Sequence, residues 1–317
     1  MQLNYKEKRK LILEMREEKE ELDMQSAISM FIKSRKLKNL TENTTASYTQ
    51  TLNKFTAFLE ENEIIKVNKV IVEDVQEFIQ TRIEEGNSAP TVNKYIRNLR
   101  AFFSFLWSSG YLIENPMEAI DKLVEEKRIL RTLSREQVLA LLDVPDRATP
   151  VGYRNYVFML LILDTGLRLE EALSFNIDDI HWKEQVVQVF GKGRKERLVP
   201  FSATLAVHLR EYLELRGETD TSIFFVTIDG LPLKRRTVQE EISDYGQLAK
   251  IKRVRVSCHS LRFTFARNYI INGGDIVSLM SILGHKSLHM AQLYSEMFQA
   301  DISKQHNRFS PVHSFFN

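Results

Sequence analysis

Apolar residues recur at helical spacing through the first third of the chain. Ile28, Phe31 and Ile32 stand at i, i+3 and i+4, which places them on one face of a helix. A second helix is expected after Thr44, with Tyr48, Leu52, Phe55 and Leu59 along one side, and a third over 72–83. A fourth starts at Ala89-Pro90-Thr91, where proline suits a first turn, and carries Val92, Ile96, Leu99, Phe102, Phe103 and Leu106. On its other side Lys94, Arg97 and Arg100 are spaced to share a face, which reads either as a solvated surface or as a basic strip. Asn115-Pro116 ends this block.

The pattern then changes. Residues 116–132 are charged, end in Lys127, Arg128 and Arg131, and read as a linker. Ser134, with Gln137 three positions on, has the pattern of a capping box and opens a new helix. Residues 153–175 read as largely helical. Two short strands are expected over 186–190 and 197–199, around Gly191-Lys192-Gly193, with a third over 224–226. Helices and turns alternate from there to about residue 300. The expected organisation is a charged extension (1–23), a helical domain (24–115), a linker (116–132), a second domain (133–300) and a tail (301–317). The expected class is mainly α with a small antiparallel β-sheet in the second domain.

Composition narrows the function classes. The 317 residues are 43% hydrophobic and 27% charged, as in ordinary globular proteins, and their length suits two domains. Net charge is only +2, so a global positive field is no argument for nucleic acid; the placement of Lys and Arg is what matters. No apolar run approaches the roughly 18–20 residues that span a bilayer, and the N-terminus lacks a signal-peptide core. Cys258 is the single cysteine, so no internal disulfide forms, in keeping with a reducing compartment. A cytoplasmic location with no membrane partner is expected.

Four segments carry chemistry: Thr165-Gly166-Leu167-Arg168 with Glu171, the run from Gly191 to Arg197, His259-Ser260-Leu261-Arg262, and Leu283-Gly284-His285 followed by Tyr294. Two arginines supply permanently charged forks that match phosphate oxygens. A lysine at a hairpin tip supplies a mobile cationic proton donor. Two histidines supply proton transfer near neutral pH. A tyrosine hydroxyl supplies a nucleophile for a covalent intermediate. Together they suit attack on a phosphodiester, whose five-coordinate transition state fixed cations stabilise without a metal. Taken singly, each has a plainer reading: Arg168 as a helix salt bridge, Gly-Lys-Gly as a turn, Tyr294 as core. His285 and His289 lack a further ligand at zinc spacing, and no cofactor is expected. Cys258 and His259 are adjacent and do not face each other, so Cys258 reads as structural.

In order and spacing these segments resemble the tyrosine recombinase (phage integrase) family, most closely its Xer-like and transposon- or phage-borne members. The resemblance covers about 24–300. It rests on TGLRLEE at 165–171, GKGRKERLVP at 191–200, HSLRFTFA at 259–266 and LGHKSLHMAQLYSE at 283–296, with nine residues from His285 to Tyr294. It implies a two-domain, C-shaped clamp on double-stranded DNA. Arg168 and Arg262 would hold the scissile phosphate, and Lys192 would protonate the leaving 5′ oxygen. His259 and His285 would bond the phosphate or move protons, Tyr294 would attack, and Glu171 would support the site. The bond energy stays in the phosphotyrosine, so rejoining needs no ATP. Lys94, Arg97, Arg100, Lys234, Arg235, Arg236, Lys250, Lys252 and Arg253 are candidates for backbone contacts. Phe263 stands where many relatives have His, Met290-Ala291 replaces a commoner Thr-Thr, and Glu296 follows the nucleophile where His is frequent. Strand exchange implies a synapse of four identical subunits, with the tail (Phe309, Val312, Phe315, Phe316) either exchanged with a neighbour or folded back. Chromosome-dimer resolution, transposon cointegrate resolution and element integration share these residues, and accessory proteins are not named by them. A type IB topoisomerase and a DNA-binding regulator without catalysis are the alternatives.

Overall fold

The computed structural model of the chain describes residues 22–125, 131–191 and 196–284, with isolated positions beyond 305. It divides into two compact units, Met1–Lys127 and Arg128–Asn317.

Among the described residues the first unit is built from α1 (Met24–Leu37), α2 (Glu42–Glu61), α3 (Val72–Glu84) and α4 (Ala89–Ser108). Asp23 caps α1 by accepting the Ser26 N–H at 2.9 Å. The apolar stripes converge on an aromatic centre: Phe31, Phe55, Phe78, Phe102 and Phe103 are fully buried. Their rings meet edge-on, with Phe55–Phe78 at 5.0 Å and Phe102–Phe103 at 5.2 Å between centroids. The segment expected as linker is fastened to this unit over its first part. Met117 and Ile120 join the core. Asn93 donates to the Leu123 carbonyl at 2.9 Å and accepts the Leu123 N–H at 2.8 Å. A run of charged residues reads as loop; the few apolar positions inside it are what anchor it.

The second unit holds α5 (Arg135–Leu142), α6 (Pro150–Thr165), α7 (Leu169–Ser174), β1 (Ile180–His181), β2 (Val186–Phe190), β3 (Glu196–Pro200), α8 (Ala203–Arg216), α9 (Arg235–Leu248), α10 (Cys258–Ile271) and α11 (Ile276–Leu283). Ser134 and Gln137 form the capping box that opens α5. The apolar α6 packs against α8 and α10. The described sheet is antiparallel in the order β1-β2-β3, with Val187 opposite Val199 and Phe190 opposite Glu196. Val187, Val189 and Val199 face the core. The class is therefore mainly helical with one small antiparallel sheet. No helix among the described residues is long and apolar enough to cross a membrane.

Residues 153–175 are largely helical, as expected, but in two pieces: α6 stops at Gly166, whose backbone is left-handed (φ +62°), and α7 begins only after Arg168. A Cβ on Gly166 would fall 2.4 Å from the Phe265 ring and 2.7 Å from Leu283, so packing and backbone both demand glycine. The third strand is β1, not 224–226. That segment makes a single bridge, Val226 to Pro232, and Ile223 before it makes another to Asn176. Phe224 and Phe225 are β-formers by composition, but both are fully buried, packed against Phe175 and Tyr212.

Candidate active site

The break after α6 positions the first arginine. Arg168 is the N-cap residue of α7, with extended backbone, and Glu171 in the first turn reaches back to accept its N–H at 2.8 Å. The same carboxylate receives more. Its Oε1 accepts from Arg168 Nη1 at 2.9 Å and from Arg197 Nη1 at 2.8 Å, and its Oε2 accepts from Arg197 Nη2 at 2.7 Å. Glu171 is 5% exposed. Burial by itself would raise its carboxyl. The Arg197 hydrogen bonds, the Arg168 N–H and the two guanidinium charges outweigh burial and bring it down to about 2.

Arg262 lies on α10 and is buried. Its guanidinium donates to the carbonyl of Gly166 and, at 2.8 Å, to that of Leu283. Those are the left-handed cap of α6 and the last residue of α11. His259 sits in the first turn of α10, which Ser257 caps, and its ring meets Phe263 edge-on at 4.4 Å. Burial, then the charges of Arg262 and Arg168, push the imidazole below its ordinary value of 6.5. Both arginines act on one imidazole, so Arg168 comes together with His259 and Arg262 from two segments of the chain. Phe263, in place of a more frequent His, is the surface against which His259 is set. Cys258 packs in the core, and burial pushes its thiol up to about 12, so it stays protonated.

Lys192, His285, His289 and Tyr294 lie outside the described residues, as do 1–21, Lys127, Arg128, Met290, Ala291, Glu296, Phe309, Pro311 and Phe316. The residues that flank the segment of Lys192, and the one before His285, are described. Gly191 and Glu196 flank the hairpin tip, and Gly284, the left-handed cap of α11 (φ +65°), precedes His285.

The basic candidates divide. Arg97 is exposed and Lys94 half-buried, while Arg100 turns to the Ile120 carbonyl, so the strip on α4 is in part an internal fastening. Arg235 pairs with Glu170 at 3.0 Å and Arg236 with Glu240 at 2.7 Å, all on the surface. Lys234, Lys250, Lys252 and Arg253 are exposed; the Arg253 carbonyl accepts from Arg131 at 2.8 Å.

Arg197 had no role in the sequence reading. Beyond its two bonds to Glu171 it donates from Nε to the Ile282 carbonyl at 2.9 Å. Strand alternation was the available signal: Glu196 and Leu198 face solvent, which puts Arg197 on the side of buried Val199.

Chemically, two arginine forks and an imidazole whose pKa lies below its ordinary value can bind a phosphodiester and accept or pass a proton at its edge. Comparison with known proteins shows the family. Residues 131–300 match the phage integrase family and residues 34–110 the phage integrase N-terminal SAM-like domain. The tyrosine recombinase XerD of Staphylococcus haemolyticus is 31% identical over 294 residues, 91% of this chain and 99% of the relative. Among solved structures, the XerH site-specific recombinase bound to palindromic difH substrate superposes with a TM-score of 0.72 at 20% identity, over 86% of this chain and 81% of that one. A lambda integrase dimer bound to a COC′ core site gives 0.74 at 16% identity, over 92% and 81%. The chain belongs to the phage integrase family, the tyrosine recombinases, and is a site-specific recombinase that cleaves and rejoins DNA.

Proposed function

We propose that the chain acts on a double-stranded recombination site in the cytoplasm through a 3′-phosphotyrosyl intermediate on Tyr294. Arg168 and Arg262 hold the scissile phosphate. The Tyr294 oxygen attacks phosphorus as the bond to the 5′ oxygen breaks. His259, whose pKa burial and the two arginines hold below its ordinary value, accepts a proton or bonds a phosphate oxygen, and His285 assists from its own segment. Lys192 gives a proton to the departing oxygen, which leaves as a 5′-hydroxyl. Rejoining reverses the step from the phosphotyrosine, with no ATP consumed. The cations that stabilise the extra charge on phosphorus are side chains, held in place before the reaction.

Both units supply duplex contacts. Exposed Arg97, Lys234, Lys250, Lys252 and Arg253 suit phosphate oxygens, which set affinity and its salt dependence. Four copies gather two duplexes, and the tail of each seats on its neighbour. The element served, whether in resolution, transposition or integration, follows from the site recognised.

The observation that carries this reading is the meeting of Arg168, His259 and Arg262, with Gly284 leading directly into His285. The test is a nicked suicide substrate that traps the covalent adduct. Wild-type chain is expected to form it, and Tyr294→Phe, which removes one oxygen, to bind the same DNA without forming it. Adduct in the variant overturns the assignment of Tyr294.

A further inference from the structure

We propose that Arg197 is a positioning residue that aligns the hairpin carrying Lys192 with the phosphate-binding arginines, by tying β3 to Glu171 on α7 and to the end of α11. The proposal rests on the role given to Lys192 above.

Three segments distant in sequence meet on this guanidinium. Glu171 lies 26 residues away and takes both oxygens' worth of a bidentate pair; Ile282 lies 85 residues away and takes the Nε–H. A bidentate pair fixes the plane of the guanidinium, and a third bond in another direction fixes its position within that plane. The Arg197 side chain is 14% exposed against 5% for its partner, so solvent loosens the pair little. Gly284 closes the arrangement from a further side. A Cβ there would lie 3.1 Å from Cζ, Nε and Nη1 of Arg197, so the residue before His285 rests on the same guanidinium.

The hairpin needs such a tie. On its outward face Phe190, Glu196 and Leu198 meet solvent. Arg197 is opposite Val189, one register step from the last paired residues, Phe190 and Glu196, beyond which the chain runs to Lys192. A lysine has a long flexible stem, and its proton can pass to the leaving oxygen only if the strand beneath it is held within hydrogen-bond reach of the phosphate. Glu171 orients Arg168 with the carboxylate that holds Arg197. One acid therefore registers the proton donor's hairpin against the phosphate clamp. Stability alone is a poor reason for the pair, since a buried ion pair gains little over an apolar contact of the same volume.

The experiment compares Arg197→Lys, Arg197→Gln and Lys192→Ala on two suicide substrates, one with the ordinary 5′ oxygen and one with a bridging 5′ sulfur, a leaving group that needs no proton. Half-site binding is measured in parallel. Arg197→Lys is expected to bind as wild type and to lose about a hundredfold in cleavage of the oxygen substrate, the scale of a small misplacement in an active site. The sulfur substrate is expected to recover most of that loss, as is expected for Lys192→Ala. A residue that merely stabilised the fold would slow both substrates alike. Arg197→Gln keeps the stem length and one donor, and carries the same comparison should the lysine variant not fold. Equal loss on both substrates, or none, overturns the proposal while Lys192→Ala is still rescued. Absence of rescue in Lys192→Ala removes Lys192 as proton donor, and the positioning role with it.

Discussion

Arg168 and Arg262 carry the same charge in different settings, and the difference is testable. The Arg168 side chain is 41% exposed and rests on Glu171, whereas Arg262 is buried and serves the carbonyls of Gly166 and Leu283. On the proposed roles, replacing either by alanine removes a fixed cation from the transition state and is expected to cost about 10²–10³ in rate. The two variants part in stability. Arg262→Ala strands two carbonyls, at roughly 1–3 kcal/mol for each left unpaired, while Arg168→Ala leaves Glu171 its bidentate partner Arg197. Urea unfolding beside cleavage rates will check this: both variants inactive, Arg262→Ala markedly less stable, Arg168→Ala close to wild type. Equal stability of the two denies Arg262 its structural share. The sequence made both arginines readable, because motif order singles them out. It was silent on Arg197, since the partner of a strand residue lies across the fold and only the alternation of β3 hints at it.

Elements here are joined through one carboxylate. Glu171 begins α7, holds β3 through Arg197 and so reaches the end of α11. Its carboxyl stands at about 2 in the fold against 4.5 ordinarily. The folded state thus favours the charged form. Its stabilisation is fully present above pH 4.5 and is lost as pH falls from there toward 2, on the order of 3 kcal/mol if the whole depression is realised. Chemical denaturation between pH 5 and 3 is expected to show wild-type stability falling with acid, and Glu171→Gln, less stable at pH 7, to fall less steeply. Parallel slopes would mean that another group carries the acid sensitivity. Element boundaries were legible where local chemistry sets them, as at Ser134 or Pro90. They were misread where tertiary contact decides. The break at Gly166 is set by Phe265 and Leu283, which lie against it from distant segments. Phe224-Phe225 looks like a strand until its rings are seen enclosed in the core.

At the scale of the whole molecule, the apolar tail is the feature that isolated stability does not explain. Val312 is 56% exposed and Phe315 74% exposed, and a large apolar side chain gains about 1.5–3 kcal/mol when buried. A head-to-tail exchange among four copies would bury them. A chain ending at Gln305 is therefore expected to bind one half-site normally and to lose cooperative filling of two half-sites and most strand exchange, measured by gel shift and recombination of a plasmid substrate. Unchanged cooperativity would show that the tail does not link subunits. A protein that grips a polyanion must also keep its cations in place while the DNA is absent. Arg262 does so at the carbonyl ends of α6 and α11, where the helix dipoles present partial negative charge. Those two helix ends act as an internal counter-ion. On the role proposed for Arg262, this cation is set in place before any phosphate arrives, and the energy of meeting DNA is not spent on ordering it.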